Sequence, residues 1–355
     1  MSSPHPPTNP SSITLFLLGA TGYLGSQFLI CLARAYPRTE VAVVALVRGA
    51  TPERERGLKE LYRNLRVVEG TLGDVDIVKV EAERAGWVVN VASADNIECV
   101  EAILAGLEVY AAAVANKPGI GPPVYIHISG LGMTSDNCRG KFVEMDKVRA
   151  YNDVGFRLDM CPEGNTHVPC NARIVQAGSK GRIRTMILFP AWVYGVGEGM
   201  QKITVVIRLF FQLFKQCGFA GTWGPGLNRM GTVHVKDTAE AMLTVFRAAV
   251  EGTADEGEEG LYFVVSDEPV INMKTVADKM GDILHEKGLL SQGSSKPMPE
   301  DVLDQLGFLG WFIFGGNQNV TAKRLKKFGW EPTETKKLSL MDSLPAEMEI
   351  AMKDW

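Results

Sequence analysis

The stretch Ile13 to Gly25, ITLFLLGATGYLG, constrains the chain more than any other. Ile13 to Leu18 is nearly all apolar, as befits a strand buried on both faces. Gly19-Ala20-Thr21-Gly22-Tyr23-Leu24-Gly25 follows at once, and then a helical run from Ser26 to Ala35. In a strand–turn–helix unit of this kind Gly19 permits the tight turn. Gly22 lets a pyrophosphate approach the backbone with no Cβ in the way, and Gly25 lets helix and strand lie close. The free N–H groups and positive dipole end at Thr21, Tyr23 and Leu24 suit phosphate oxygens. The stretch predicts a dinucleotide site.

The next segments extend that reading. Val41–Val47 is a second buried strand that ends on Arg48. At this place a carboxylate hydrogen-bonds the 2′-hydroxyl of NAD(H), whereas a guanidinium suits a 2′-phosphate. Arg48, with Arg54 and Arg56 nearby, therefore favours NADP(H) over NAD(H). A third strand around Val67–Val68 runs into Gly70-Thr71-Leu72-Gly73-Asp74. A fourth, from Trp87, exits through small residues at Ala92 and Ser93, over which the ribose and nicotinamide can pass. Ile97–Ala115 has helical periodicity, and Val124–Ile128 is a fifth strand ending on Ser129. Strands alternating with helices imply an α/β fold with a doubly wound, mostly parallel sheet. Ligands of such sheets sit at the carboxyl ends of the strands, where Gly19, Arg48, Ala92 and Ser129 all fall.

Several classes are excluded. A net charge of −4 argues against a nucleic-acid binder. The longest apolar stretch, 203–220, is broken by Arg208, Lys215 and Gln216, so no membrane span is expected. Six cysteines scattered over 355 residues read as reduced thiols, not a disulfide scaffold. Cys161, His167 and Cys170 lack the tight spacing of a zinc site, and no metal is expected. Residues 1–12 read as a flexible tail without a signal peptide's charged start and apolar centre, which points to the cytoplasm.

GATGYLG near the amino end resembles the extended or atypical short-chain dehydrogenase/reductase superfamily, which includes NAD-dependent epimerase/dehydratase and NmrA-like proteins. Further segments share the resemblance. Gly70–Asp74 is similar to the loop beside the adenine, with Thr71 in place of the first acid and Asp74 keeping the second. Pro190-Ala191-Trp192-Val193-Tyr194-Gly195, after a sixth strand at 186–189, resembles the PxxVYG motif where backbone passes the nicotinamide. Thr232–Ala241 is similar to the return to the sheet, with Asp237 or Thr238 capping a helix that runs to Ala249. His234 there reads as structural. The segment 322–332 is similar to the closing stretch. The resemblance implies a Rossmann domain over 13–190, rejoined by 229–250, and a smaller carboxy-terminal substrate lobe over 191–228 and 251–355.

In that superfamily a serine, a tyrosine and a lysine four residues later perform the proton chemistry. Ser129 stands in the serine's place. None of the eight tyrosines has lysine at i+4, and Pro169–Val175 occupies the region where the pair belongs. Lys147 and Tyr151 are four apart in reverse order. A helix over 141–152 would put them on one face, making Tyr151, assisted by Lys147, the candidate donor opposite Ser129. The resemblance implies an NADP(H)-dependent reductase or dehydrogenase acting on a small carbonyl or alcohol. The missing pair keeps two alternatives open: an inert NmrA-like redox sensor, and a non-redox epimerase- or dehydratase-like enzyme. Oligomeric state is open, a homodimer included.

Overall fold

In the computed structural model, which describes residues 13–37 and 40–355, seven parallel strands form the central sheet. They are β1 (Ile13–Leu18), β2 (Val41–Val47), β3 (Leu65–Glu69), β4 (Gly86–Asn90), β5 (Val124–Ile128), β6 (Arg184–Pro190) and β7 (Leu261–Val264). Their order is β7-β6-β5-β4-β1-β2-β3, so the chain reverses direction beside β1 and leaves a crevice there. The register sets Leu15 between Val43 and Trp87, and Leu18 between Leu46 and Asn90. The expected tail, 1–12, lies outside the described residues.

Alternation along β1 divides the core in two. Leu15 and Leu17 point into one cluster with Phe28, Leu32 and Phe246, supplied by helices α1 (Tyr23–Ala35) and α7 (Val235–Glu251). Phe16 and Leu18 point into the other with Val78 and Ile103, from α3 (Val75–Ala85) and α4 (Ile97–Val114). Because both faces are covered, these strands have no polar side, and each fully buried large apolar residue contributes about 1.5–3 kcal/mol. The second helix, α2 (Pro52–Leu61), is capped by Thr51, whose hydroxyl accepts from Arg54 N at 3.3 Å. A third cluster, around Phe210, Phe214, Trp223 and Met280, packs α6 (Val205–Cys217) against α8 (Met273–Glu286) and the last helix, Leu340–Ala351. α5 (Val168–Ser179) follows the loop-rich stretch after β5.

Four expectations need correction. The helix over 141–152 does not form. The Val143 carbonyl is taken by Arg229, and those of Met145 and Val148 by Asn319 Nδ2, so the segment is held by long-range bonds. Its end, Ala150–Asn152, is a short strand paired with Asn319–Thr321. Lys147 and Tyr151 therefore share no helix face. Residues 261–264, expected in the substrate lobe, form the edge strand β7 beside β6, because both faces of Leu261–Val264 are buried. The helix expected over 200–217, α6, starts five residues later at Val205, where the Thr204 hydroxyl accepts from Val206 N. α7 is capped by His234 through Nδ1, not by Asp237 or Thr238. Asp237 instead accepts from the backbone of Glu334 and from Thr335.

Candidate active site

The turn after β1 shows why three glycines are needed. Gly19 has φ +90°, and a Cβ there would lie 2.9 Å from Ala92 N. A Cβ on Gly25 would lie 2.1 Å from the Gly19 carbonyl oxygen, so α1 packs on the turn only because that side chain is missing. Gly22 is different. A Cβ there would meet only Gly19 O, at 3.1 Å, and otherwise face open space in a cleft. Gly22 also precedes α1 with no side-chain cap and no acid in the first turn, leaving the helix N–H groups and their dipole unopposed. These features fit a dinucleotide's pyrophosphate.

Two cavities follow the carboxyl ends of the strands and meet at Val91. The first, about 480 Å³, is lined by Gly19, Thr21, Gly22, Arg48, Ala92 and the Gly70–Gly73 loop. Among the described residues no carboxylate lines it. Asp74 stands beside it as the brace of that loop, accepting from Thr71 N at 2.7 Å and Thr71 Oγ1 at 2.8 Å. Those two bonds hold its carboxyl below the ordinary range. Arg54 braces the other side, its guanidinium donating to the carbonyls of Arg48 and Gly49 at 2.7 and 2.8 Å. Arg48 itself is exposed at the cavity edge.

The second cavity, about 460 Å³, contains Tyr23, Leu24, Ser129, Pro190 and Val193. Its remaining wall comes largely from β6's exit, the start of α6, and Ile313 and Phe314. No Lys, Arg, Asp or Glu lines it among the described residues; Tyr23 and His167 are its titratable groups. The Tyr23 phenol donates to the Gly195 carbonyl, and burial pushes its pKa well above the ordinary value. Ser26 Oγ and Gln27 Oε1 accept from the backbone N–H groups of Met200 and Glu198, at 3.0 and 2.8 Å. The first turn of α1 is thus fastened to the loop after the PxxVYG segment.

Ser129 Oγ accepts from Asn171 Nδ2 at 2.9 Å, and Ser129 N donates to Leu188 O at 2.8 Å. Asn171 is fully buried on α5. Ser93, expected to contact cofactor, lines neither cavity; its hydroxyl accepts from Asp95 N and shapes the loop after β4. Lys147 and Tyr151 also line neither. Lys147 is exposed, and the buried Tyr151 donates to Met160 O at 3.2 Å with its ring edge-on to Phe156. Burial raises the phenol's pKa despite the opposing Arg149.

Sequence reasoning missed a pair that the fold brings to the second cavity. His167 immediately precedes α5 in a left-handed conformation, φ 69°. Its Nδ1 lies 2.8 Å from Asp95 Oδ1, and its backbone N–H donates to the same oxygen at 3.0 Å. The clue was a position: His167 stands two residues before Pro169–Val175, the region where the resemblance places the tyrosine and lysine. Cys161 and Cys170 are partly or fully buried. Burial pushes their thiols up to about 12 and about 11, and no three-residue metal cluster occurs among the described residues.

No family model matches the chain. It is similar to Oxidase ucsJ of an Acremonium species, 26% identical over 334 residues, covering 90% of this chain and 92% of that one. Solved structures cover nearly all of it. UDP-glucose 4-epimerase of Thermotoga maritima matches 96% of this chain and 99% of its own, with TM-score 0.63 and 16% identity. A dTDP-glucose 4,6-dehydratase of Bacillus anthracis in complex with NAD covers 97% and 99%, with TM-score 0.61 and 12% identity. A human epimerase family protein with NADPH covers 95% and 99%, with TM-score 0.57 and 16% identity. The chain has the Rossmann fold of these extended short-chain dehydrogenase/reductase structures.

Proposed function

We propose that the chain is an NADP(H)-dependent oxidoreductase acting on a small, uncharged carbonyl or alcohol substrate. The observation that carries this reading is the pair of joined cavities, one beside an open helix N-terminus and the other ending at Ser129. Gly19, Thr21, Gly22, Tyr23, Leu24 and Ala92 would hold the dinucleotide, with Pro190 and Val193 flanking its nicotinamide end. Arg48 favours NADP(H), because it stands where NAD(H) would call for a carboxylate and, among the described residues, none lines that cavity. When bound, the dinucleotide supplies or accepts hydride.

The chain's own part is binding, orientation and proton handling. Asn171 donates to Ser129 Oγ, which leaves the serine's own O–H free to donate toward a substrate oxygen. Among the described residues the wall of the second cavity carries no Lys or Arg to pair with a diphosphate, which weighs against a nucleotide-sugar substrate. The test is a screen of the purified protein for NADPH oxidation against neutral and phosphorylated carbonyl compounds, with dissociation constants for NADPH and NADH measured alongside. Failure to bind either dinucleotide would remove the reading. Turnover confined to phosphorylated compounds would remove its substrate class.

A further inference from the structure

The proposed reaction lacks a proton donor, since Tyr23 is tied to a carbonyl and Tyr151 lies outside both cavities. We infer that His167, held by Asp95, is the group that exchanges a proton with the substrate oxygen. The inference rests on the oxidoreductase reading and adds a residue that the resemblance does not supply.

Three observations carry it. His167 lines the cavity that contains Ser129. Its Nε2 faces Gly130, where a Cβ would lie only 3.2 Å away, so the ring's second nitrogen abuts the residue beside the serine. Asp95 accepts from both the backbone N–H and the ring of His167, which fixes a residue whose φ of 69° is uncommon outside glycine. Strain of this kind persists only where surrounding bonds impose it, and it concentrates at working sites. Asp95 fixes the tautomer as well. With Nδ1–H donated to the carboxylate, neutral His167 presents the Nε2 lone pair to the cavity.

Titratable groups stand near His167 on three elements. From the loop after β4 comes Asp95. Burial opposes its charge, but bonds and charge from His167 outweigh that and hold its pKa below the ordinary value. From β5 comes His127, which burial pushes down to about 4, so it is neutral near pH 7. On α5 itself, Cys170 is a neutral thiol.

In the oxidative direction, the substrate O–H bond breaks and its proton forms the Nε2–H bond of an imidazolium paired with Asp95. The adjacent C–H bond breaks with its electron pair leaving as hydride to the oxidised nicotinamide dinucleotide, and the C–O single bond becomes a carbonyl. In reduction the imidazolium returns the proton to the oxygen. Asn171 cannot replace the lysine of a tyrosine–lysine pair, because a neutral amide carries no charge to stabilise a phenolate. It need not, since an imidazole can itself give and take the proton.

The experiment uses the full chain with NADPH and two neutral probes, benzaldehyde and cyclohexanone. Wild type should reduce at least one. His167→Asn, which tolerates the left-handed backbone, should lower turnover by roughly the 10²–10⁴-fold of a general acid. NADPH affinity should be unchanged. Asp95→Asn removes the carboxylate that holds the ring, and it should lower kcat with NADPH affinity and the KM for the carbonyl little changed. Full activity in His167→Asn or in Asp95→Asn overturns the inference. So does a wild type that binds NADPH and reduces neither probe. A wild type that binds no dinucleotide instead overturns the oxidoreductase reading beneath it.

Discussion

Asn171 Nδ2 donates to Ser129 Oγ at 2.9 Å, across the interface between α5 and the end of β5. Both residues are buried, and Asn171 lies within Pro169–Val175, the region where the resemblance places the tyrosine–lysine pair. Its effect is directional, because the serine oxygen accepts from below and its hydrogen is left for the cavity. Asn171→Ala would leave the serine short of a partner and open a small void. A stability loss of about 1–3 kcal/mol is expected in urea unfolding, with turnover impaired and NADPH affinity intact. Normal turnover in this variant would mean that Ser129 needs no orientation.

Gly22 and Gly25 should separate binding from folding. Gly22→Val places a side chain in open space above the pyrophosphate position, so calorimetry should detect a folded protein that no longer binds NADPH. Gly25→Val forces atoms into the Gly19 carbonyl and should prevent soluble expression. A Gly22→Val protein with unchanged affinity would contradict the proposed site.

Arg48→Ala tests the cofactor preference. A lost hydrogen bond to a charged phosphate should weaken NADPH by about 1.5–3 kcal/mol, while NADH changes little. Equal losses for both would assign Arg48 to the framework of the turn. Native binding tighter for NADH than for NADPH would reverse the preference.

His127 should give the fold a distinct acid sensitivity. Fully buried beside Tyr125, at 3.0 Å from its hydroxyl, it has a pKa lowered from 6.5 to about 4. The folded state prefers the neutral ring, so the unfolded chain binds the proton first as pH falls. The stability from this group is complete above pH 6.5 and drains between 6.5 and about 4. The shift corresponds to an upper bound of roughly 3 kcal/mol. Urea midpoints at pH 7 and pH 4.5 should converge in His127→Asn relative to wild type, and parallel curves would show that other groups govern the acid limb.

Much of this architecture is legible in the chain because local signals and tertiary packing agree. β1, β2 and β5 coincide with the apolar runs Ile13–Leu18, Val41–Val47 and Val124–Ile128, since a strand covered on both faces carries its own signature. The segment around Gly140 is the opposite case. Its N–H bonds Gly315 O and its carbonyl accepts from Leu227, at 2.6 and 2.7 Å, so its form is dictated from far along the chain. Lys147 and Tyr151 looked like a pair only because the helix assumed between them was read from spacing. The Asp95–His167 contact spans 72 residues and joins two loops, and no periodicity marks it. Asp237 shows the same limit on a smaller scale. Its position suited a cap, yet the last part of the chain claims its carboxylate.

Asp237 belongs to a wider pattern with a consequence for synthesis. Trp330 is buried in the cluster beneath β1, and its indole N–H donates to Asp237 O at 2.9 Å. Asp153 accepts from Phe263 N, Lys323 N and Arg324 N, and Ala150–Asn152 pairs with Asn319–Thr321. A chain still on the ribosome therefore carries its dinucleotide turn and most of its sheet with one core unsealed. Domains generally fold as units, and exposed apolar surface invites aggregation. Stalled nascent chains ending before residue 319 should be readily proteolysed, and those extended past 355 by a linker long enough to clear the tunnel should resist. The turn after β1 is thus translated well before Trp330, which completes the core behind it.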